Sequence, residues 1–200
     1  MPSPIDDLRA QIEHLERTLE TELGHARDRW RYRIEAGRVR FERDVHLAHR
    51  RLEQSIPAFL RESDPISLLS APVIYSLIVP ILLIDLWITV YQAICFRIYG
   101  IARVRRSRYI IIDRQHLAYL NVIEKVNCMY CGYANGVLAY VREVAARTEQ
   151  YWCPIRHAKR TRGAHAHYRE FVDYGDAEGY KRQLPVLRAE LKHERDRNGS

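Results

Sequence analysis

The chain has 200 residues, a formal charge of +7 at neutral pH, 47% hydrophobic residues, 13 tyrosines and four cysteines. So few cysteines, one of them (Cys95) inside an apolar run, exclude a secreted disulfide scaffold. No glycine-rich nucleotide loop, Gly-x-Ser-x-Gly elbow or His-Glu-x-x-His run is present, so those motif-bearing classes are excluded too.

Charge is spread unevenly. Met1 to Asp64 holds 12 Arg, no Lys and 13 acidic residues, a net of −1, whereas Arg97 to Ser200 holds 20 basic and 11 acidic residues, a net of +9. Between them Asp85 is the only charge. The basic excess marks the downstream side as the one expected to face the cytoplasm and its anionic lipids. Asp6 and Asp7 stand where a signal peptide needs a basic start and an apolar core, so no cleaved leader is expected.

The first region, 1–64, reads as a charged amphipathic helix. Ile5, Leu8, Ile12, Leu15, Leu19 and Leu23 step by three or four, and after a weak patch Phe41, Val45, Ala48, Leu52, Ile56 and Phe59 resume the stripe. Ser3 or Asp6 caps its start, Gly24 and Gly37 are candidate breaks, and Pro57 disturbs its last turn. A stripe this narrow and long predicts a coiled coil, either between copies of the chain or folded back at Gly37.

The second region, 65–102, is apolar. Ile66 to Ile84 gives 19 uncharged residues and Leu86 to Phe96 gives 11 more. One straight helix from Ile66 to Ala102 would reach roughly 56 Å, against a hydrocarbon core of about 30 Å. Pro72 and Pro80 weaken the helix, and Asp85 is costly against lipid tails. A hairpin bent near Pro80 to Asp85 keeps both flanks in the cytoplasm and is preferred to a single tilted span. The flanking Arg103, Arg105, Arg106 and Arg108 are the expected contacts for anionic lipid.

The third region, 103–174, is expected to form a small helical domain, followed by a helix within 175–200. Tyr109 to Ile112 reads as a brief strand or more helix. Asp113 caps a helix carrying Leu117, Leu120, Ile123 and Val126, and Asn127 to Gly136 is rich in turn formers. A second helix follows from about Val137 to Trp152 and ends at Pro154. From Asp176 to Arg197 the tail is helical, with Leu184, Leu187 and Leu191 on one face. The expected fold class is therefore all-α: a long amino-terminal helix, an apolar hairpin and a small Cys/His domain.

The sharpest chemical signal is Cys128-Met-Tyr-Cys131, followed after 21 residues by Cys153-Pro-Ile-Arg-His157. Two such pairs have the spacing of a Cys3His zinc site, and the same thiolates would suit iron or an iron–sulfur cluster. Thiol redox chemistry at Cys128 and Cys131 needs no metal. A straight helix from Val137 to Trp152 would, however, hold the two halves about 24 Å apart. A split arrangement would then gather His116, Cys153 and His157 with Asp113 or Glu149. Glu124, Glu143 and Glu149 invite a di-iron reading, but without a Glu-x-x-His signature, pairing with Arg114, Lys125, Arg142 and Arg147 is preferred. The run Arg156, His157, Lys159, Arg160, Arg162, His165, His167 and Arg169 reads as a solvated basic loop or as a binding run that suits lipid headgroups better than nucleic acid. Asn198-Gly-Ser200 matches a glycosylation acceptor only formally.

Tyr99-Gly-Ile101, Asp113-Arg114, Leu120-Asn121, Glu124-Lys125 and Asn127-Cys128-Met-Tyr-Cys131, continued by Asn135-Gly136, Arg147-Thr148-Glu149 and Tyr151-Trp152-Cys153-Pro154-Ile155 with His157, resemble a family of uncharacterised bacterial membrane proteins. The resemblance covers roughly 72–158. It implies a bacterial membrane setting and a shared domain, and it assigns no catalytic residue. The sequence thus leads to a membrane-anchored, zinc-type metal-binding protein of the bacterial inner membrane, its soluble parts cytoplasmic, self-associating through its amino-terminal helix. A membrane-bound oxidoreductase with iron, or a metal-free protein that shapes membranes, are the alternatives.

Overall fold

The computed structural model describes residues 4–35 and 38–198. Ser3, Gly37 and the Gly-Ser end of the glycosylation triplet lie outside them, as do the side chains of Ile5 and Leu8. The backbone is mostly helical, but the expected all-α amino-terminal rod is broken. Helix α1 spans Pro4–Arg29, strands β1 (Tyr32–Glu35) and β2 (Arg38–Phe41) form an antiparallel hairpin, and α2 (Arg43–Arg51) and α3 (Ile56–Glu62) follow. The break falls in the weak patch of the apolar stripe. There Tyr32, Ile34, Val39 and Phe41 favour paired strands, and the facing rings of Tyr32 and Phe41 lie 5.5 Å apart. Arg31, at φ 51°, turns the chain out of α1 while its guanidinium holds Glu42 and Asp44. Pro57 starts α3 rather than disturbing a helix end.

Helix α4 runs over Pro65–Tyr99. Asp64 caps it by accepting hydrogen bonds from the Ser67 N–H and hydroxyl, both at 3.1 Å. The expected hairpin is absent: α4 continues through Pro80 and Asp85. Pro80 lacks an N–H, and the ladder absorbs that loss in one tightened turn at Leu77, whose N–H reaches Ile74. A wider turn at Gln92–Phe96 follows, and Gly100, at φ 73°, ends the helix.

The chain then runs extended to Arg105, makes one helical turn at Arg106–Arg108 and passes through residues 109–112, which are neither strand nor helix. The helix expected from Asp113 shrinks to one turn at Arg114–His116. Helix α5 spans Val122–Trp152, straight through the expected turn at Asn127–Gly136. Its start is set by a capping box, with Asn121 N–H on Glu124 Oε2 (2.8 Å) and Glu124 N–H on Asn121 Oδ1 (3.0 Å). Asn135 bonds back to the Cys131 carbonyl within the helix. The glycines serve packing instead of turning: Gly136 lies against the backbone of Tyr109 and Ile110, and Gly132 against that of Ile111. Helix α6 covers Ala177–Asn198.

Two compact units result. One joins Met1–Ser63 to Asp113–Met129, and the other joins Asp64–Ile112 to Tyr130–Ser200. The second holds a core of Phe96, Ile101, Val104, Tyr140, Val144 and Leu191, drawn from α4, the extended run, α5 and α6. Each fully buried large side chain there contributes about 2–3 kcal/mol.

Candidate functional site

Within the second unit, polar side chains join α5 to one face of α4. Asp85 is 7% exposed and meets Arg106, whose Nε lies 3.0 Å from Oδ1 and whose Nη2 lies 2.5 Å from Oδ2. The Tyr133 hydroxyl donates to Oδ2 at 2.8 Å, and the guanidinium stands 5.9 Å from the Tyr133 ring centre. Two turns on, Gln92 takes the Val104 N–H on Oε1 at 3.0 Å and donates from Nε2 to the Val104 carbonyl and the Tyr140 oxygen. The same face continues with Tyr91 to Thr148 (3.0 Å) and the stacked rings of Tyr99 and Tyr151. Arg106, expected on lipid, is thus held by Asp85.

The other face of α4 is exposed among the described residues. The most apolar 18-residue window of this helix has a mean hydropathy of 2.3, and only 6% of it is buried. Leu69 is 80% exposed, Trp87 76% and Ile98 73%.

A second cluster lies on α5. Arg147, with 11% of its side chain exposed, bonds Glu143 and Glu194, each at 2.8 Å, and the Ala102 carbonyl at 3.2 Å. His167 Nε2 stands 3.2 Å from Glu143, and His165 Nε2 stands 2.9 Å from Glu149. His167 and Arg147 hold the Glu143 carboxyl down at about 2, against the opposing effect of burial. The expected pairing of Glu143 with Arg147 is present. Glu124 serves the capping box, and Glu149 pairs with His165. Sequence reasoning missed Glu194 and the two histidine partners, although His165-Ala-His167 could have been matched to Glu143 and Glu149. These pairs clasp the 164–171 loop to α5.

The cysteine and histidine pairs are placed far apart in one chain. Cys128 and Cys131 lie a single turn apart on α5, whereas Cys153 follows that helix's last residue, about 33 Å from Cys131 along the axis. His157 stacks on Tyr168 and donates its backbone N–H to the Tyr168 hydroxyl at 2.7 Å. One chain therefore does not bring the four side chains together, because α5 is unbroken between the two halves. All four cysteines are free thiols, with Cys131 and Cys153 exposed. Among the described residues, no group of three or more His, Cys, Asp or Glu side chains is arranged to hold a metal ion. In the basic run, Arg156 is committed to Asp173 at 2.8 Å, while Arg160 and Arg162 are exposed.

No protein-family model, curated protein or solved structure matches this chain.

Proposed function

We propose that this protein is a bilayer-attached assembly protein, with α4 as its anchor and α1 as the element that pairs copies of the chain. The exposed apolar face of α4 carries this reading. A core helix of a water-soluble protein would bury such a stripe, gaining about 25 cal/mol for each Å² removed from water. Here Leu69, Leu83, Trp87, Ile94 and Ile98 remain exposed, while Asp85, Gln92 and Phe96 turn inward. Lipid is the solvent that satisfies both faces. The apolar stripe of α1 supports pairing, since Leu15, Leu19 and Leu23 are also exposed.

Orientation follows from the flanks of α4. The twenty residues before it, 45–64, hold three arginines, and residues 97–116 hold six. By the positive-inside rule the downstream flank faces the cytoplasm, and because 1–63 and 113–129 share one compact unit the upstream flank lies on that same side, as on the inner face of a bacterial inner membrane.

A second reading adds a metal. Cys128 and Cys131, one turn apart, form half of a thiolate site, and Cys153 is exposed with His157 four residues on. Zinc, or iron in its place, would then be held between two chains, each lending one half.

Membranes from expressing cells, washed with alkaline carbonate and then with detergent, test the anchor. The chain is expected to stay with the pellet until detergent is added. A protein that is monodisperse in detergent-free buffer overturns the reading. Elemental analysis of the same material, purified without oxygen, tests the metal: about one zinc per chain supports a shared site. Iron with visible absorbance turns the reading toward an oxidoreductase. Metal-free protein whose folding survives Cys128→Ser and Cys153→Ser removes the metal and leaves the anchor.

A further inference from the structure

Past Gly100 the chain is extended and alternates in environment. Ile101, Ala102 and Val104 are buried, and Arg103 and Arg105 are exposed. Together with Arg97 from the last turn of α4 and Arg195 from α6, they line a cleft of about 280 Å³. That volume is near the lower end for small-ligand sites, roughly 300 Å³. A methyl group on Gly100 would stand 3.4 Å from Arg195 Nη1 and from Lys192 Cε, so the basic side chains of α6 press on the turn.

Every charged residue on the cleft wall is an arginine. Among the described residues Asp196 is the acid that meets one of them, 3.4 Å from Arg195 Nε and Nη2. Arg97, Arg103 and Arg105 have no carboxylate partner among those residues. Arg106, between them and Arg108 in sequence, is neutralised by Asp85 instead. Four arginines lining one cleft concentrate positive charge there, and an anion seated among them relieves that repulsion through charge-assisted hydrogen bonds.

We propose that this cleft binds a phosphate group, and that the phosphate is the headgroup of an anionic phospholipid whose acyl chains lie on the outer face of α4. The inference rests on the bilayer-attached reading of α4. Its walls argue against a nucleotide: no aromatic ring lines the cleft to stack a base, and the floor is aliphatic. An apolar path leads away from it, because Ile94 lies one turn before Arg97 on α4 and Ile98 one turn after Ile94, both exposed. Planar guanidinium groups suit the oxygens of a phosphodiester, and an adjoining greasy surface suits its tails.

The full chain in non-ionic detergent is titrated with dioctanoyl phosphatidylglycerol, dioctanoyl phosphatidylcholine and inorganic phosphate, with binding read by calorimetry. Short-chain lipids mix into the detergent micelles and form no bilayer, so each titration is corrected by the same lipid run into protein-free micelles and reads the cleft whether or not α4 enters a bilayer. Phosphatidylglycerol is expected to bind, phosphatidylcholine weakly, and inorganic phosphate more weakly than phosphatidylglycerol. R103Q/R105Q is expected to lose affinity for phosphatidylglycerol by about tenfold or more. The charge-matched R160Q/R162Q, on the exposed loop, is expected to keep it. Equal binding of both lipids, or an equal loss in both variants, overturns the cleft as the site. Inorganic phosphate binding as tightly as phosphatidylglycerol overturns the lipid as its occupant. A chain that needs no detergent but still binds phosphatidylglycerol through Arg103 and Arg105 would fail the anchor reading and keep the cleft.

Discussion

Asp85 shows how one side chain reconciles an apolar helix with a charge. Water barely reaches it, so a lone carboxylate there would cost several kcal/mol, yet Arg106 and Tyr133 satisfy both of its oxygens. Breaking a fully buried pair costs about 3–5 kcal/mol. The Arg106 side chain is 45% exposed, which lowers the expected loss for Arg106→Ala to about 2 kcal/mol. In the double variant Asp85→Ala/Arg106→Ala no charge is stranded, so it should lose less than the sum of the two single changes. Denaturant melts in detergent, followed by tryptophan fluorescence, measure both. An Arg106→Ala protein that melts with the wild type would remove the pair from the fold's energetics. The oddity of Asp85 was legible in the sequence. Its partner was not, because 21 residues and a reversal of direction separate them.

Among the elements, α4 and α5 were both read too short or too bent, and for related reasons. Prolines and glycines signal turns only when the backbone has no better use for them. Pro80 costs α4 one ladder bond, and the chain tightens locally without reversing. Gly136 lets the 109–112 segment lie on α5: a methyl group there would stand 2.7 Å from the Tyr109 carbonyl oxygen and 2.8 Å from Ile110 Cα. Neither atom belongs to a flexible side chain. Gly136→Ala should therefore destabilise by about 2 kcal/mol or more, despite alanine's better helix propensity. Gly132→Ala, at 3.2 Å from the Ile111 carbonyl, should cost less. Gly24→Ala, with nothing within 4 Å, should stabilise α1 by about 0.5–1 kcal/mol. Thermal melts that place Gly136→Ala level with Gly24→Ala would contradict this packing.

On the scale of the molecule, charge pairs join segments that sequence spacing keeps apart. Glu143 on α5 meets Arg147 one turn on and His167 from the loop, while Arg147 also reaches Glu194 on α6. Folding lowers the Glu143 carboxyl from 4.5 to about 2, so the unfolded chain takes up a proton there first as the pH falls. This contribution, about 3 kcal/mol, is complete above the unfolded value near 4.5 and fades as the pH drops from there to about 2. Urea midpoints at pH 6, 4 and 3 should fall steeply for the native chain. Those of Glu143→Gln should start lower and fall less. Parallel acid limbs for the two proteins would exclude Glu143 as a source of acid sensitivity.

What the sequence determined by itself was whatever depends on composition and short-range pattern. That includes a mostly helical chain, an apolar segment long enough to cross a bilayer, a basic excess downstream of it, and helices ending near Pro154 and starting near Asp176. Pairing of Glu143 with Arg147 was legible for the same reason, since four residues on a helix bring side chains together without help from the rest of the chain. Tertiary structure alone decided that α4 does not fold back, that α5 is unbroken and so separates Cys131 from Cys153, and that Arg106 turns inward while Arg103 and Arg105 turn out. Each of those outcomes depends on which distant backbone or charge a residue meets. A periodicity of three to four residues carries no information about that meeting.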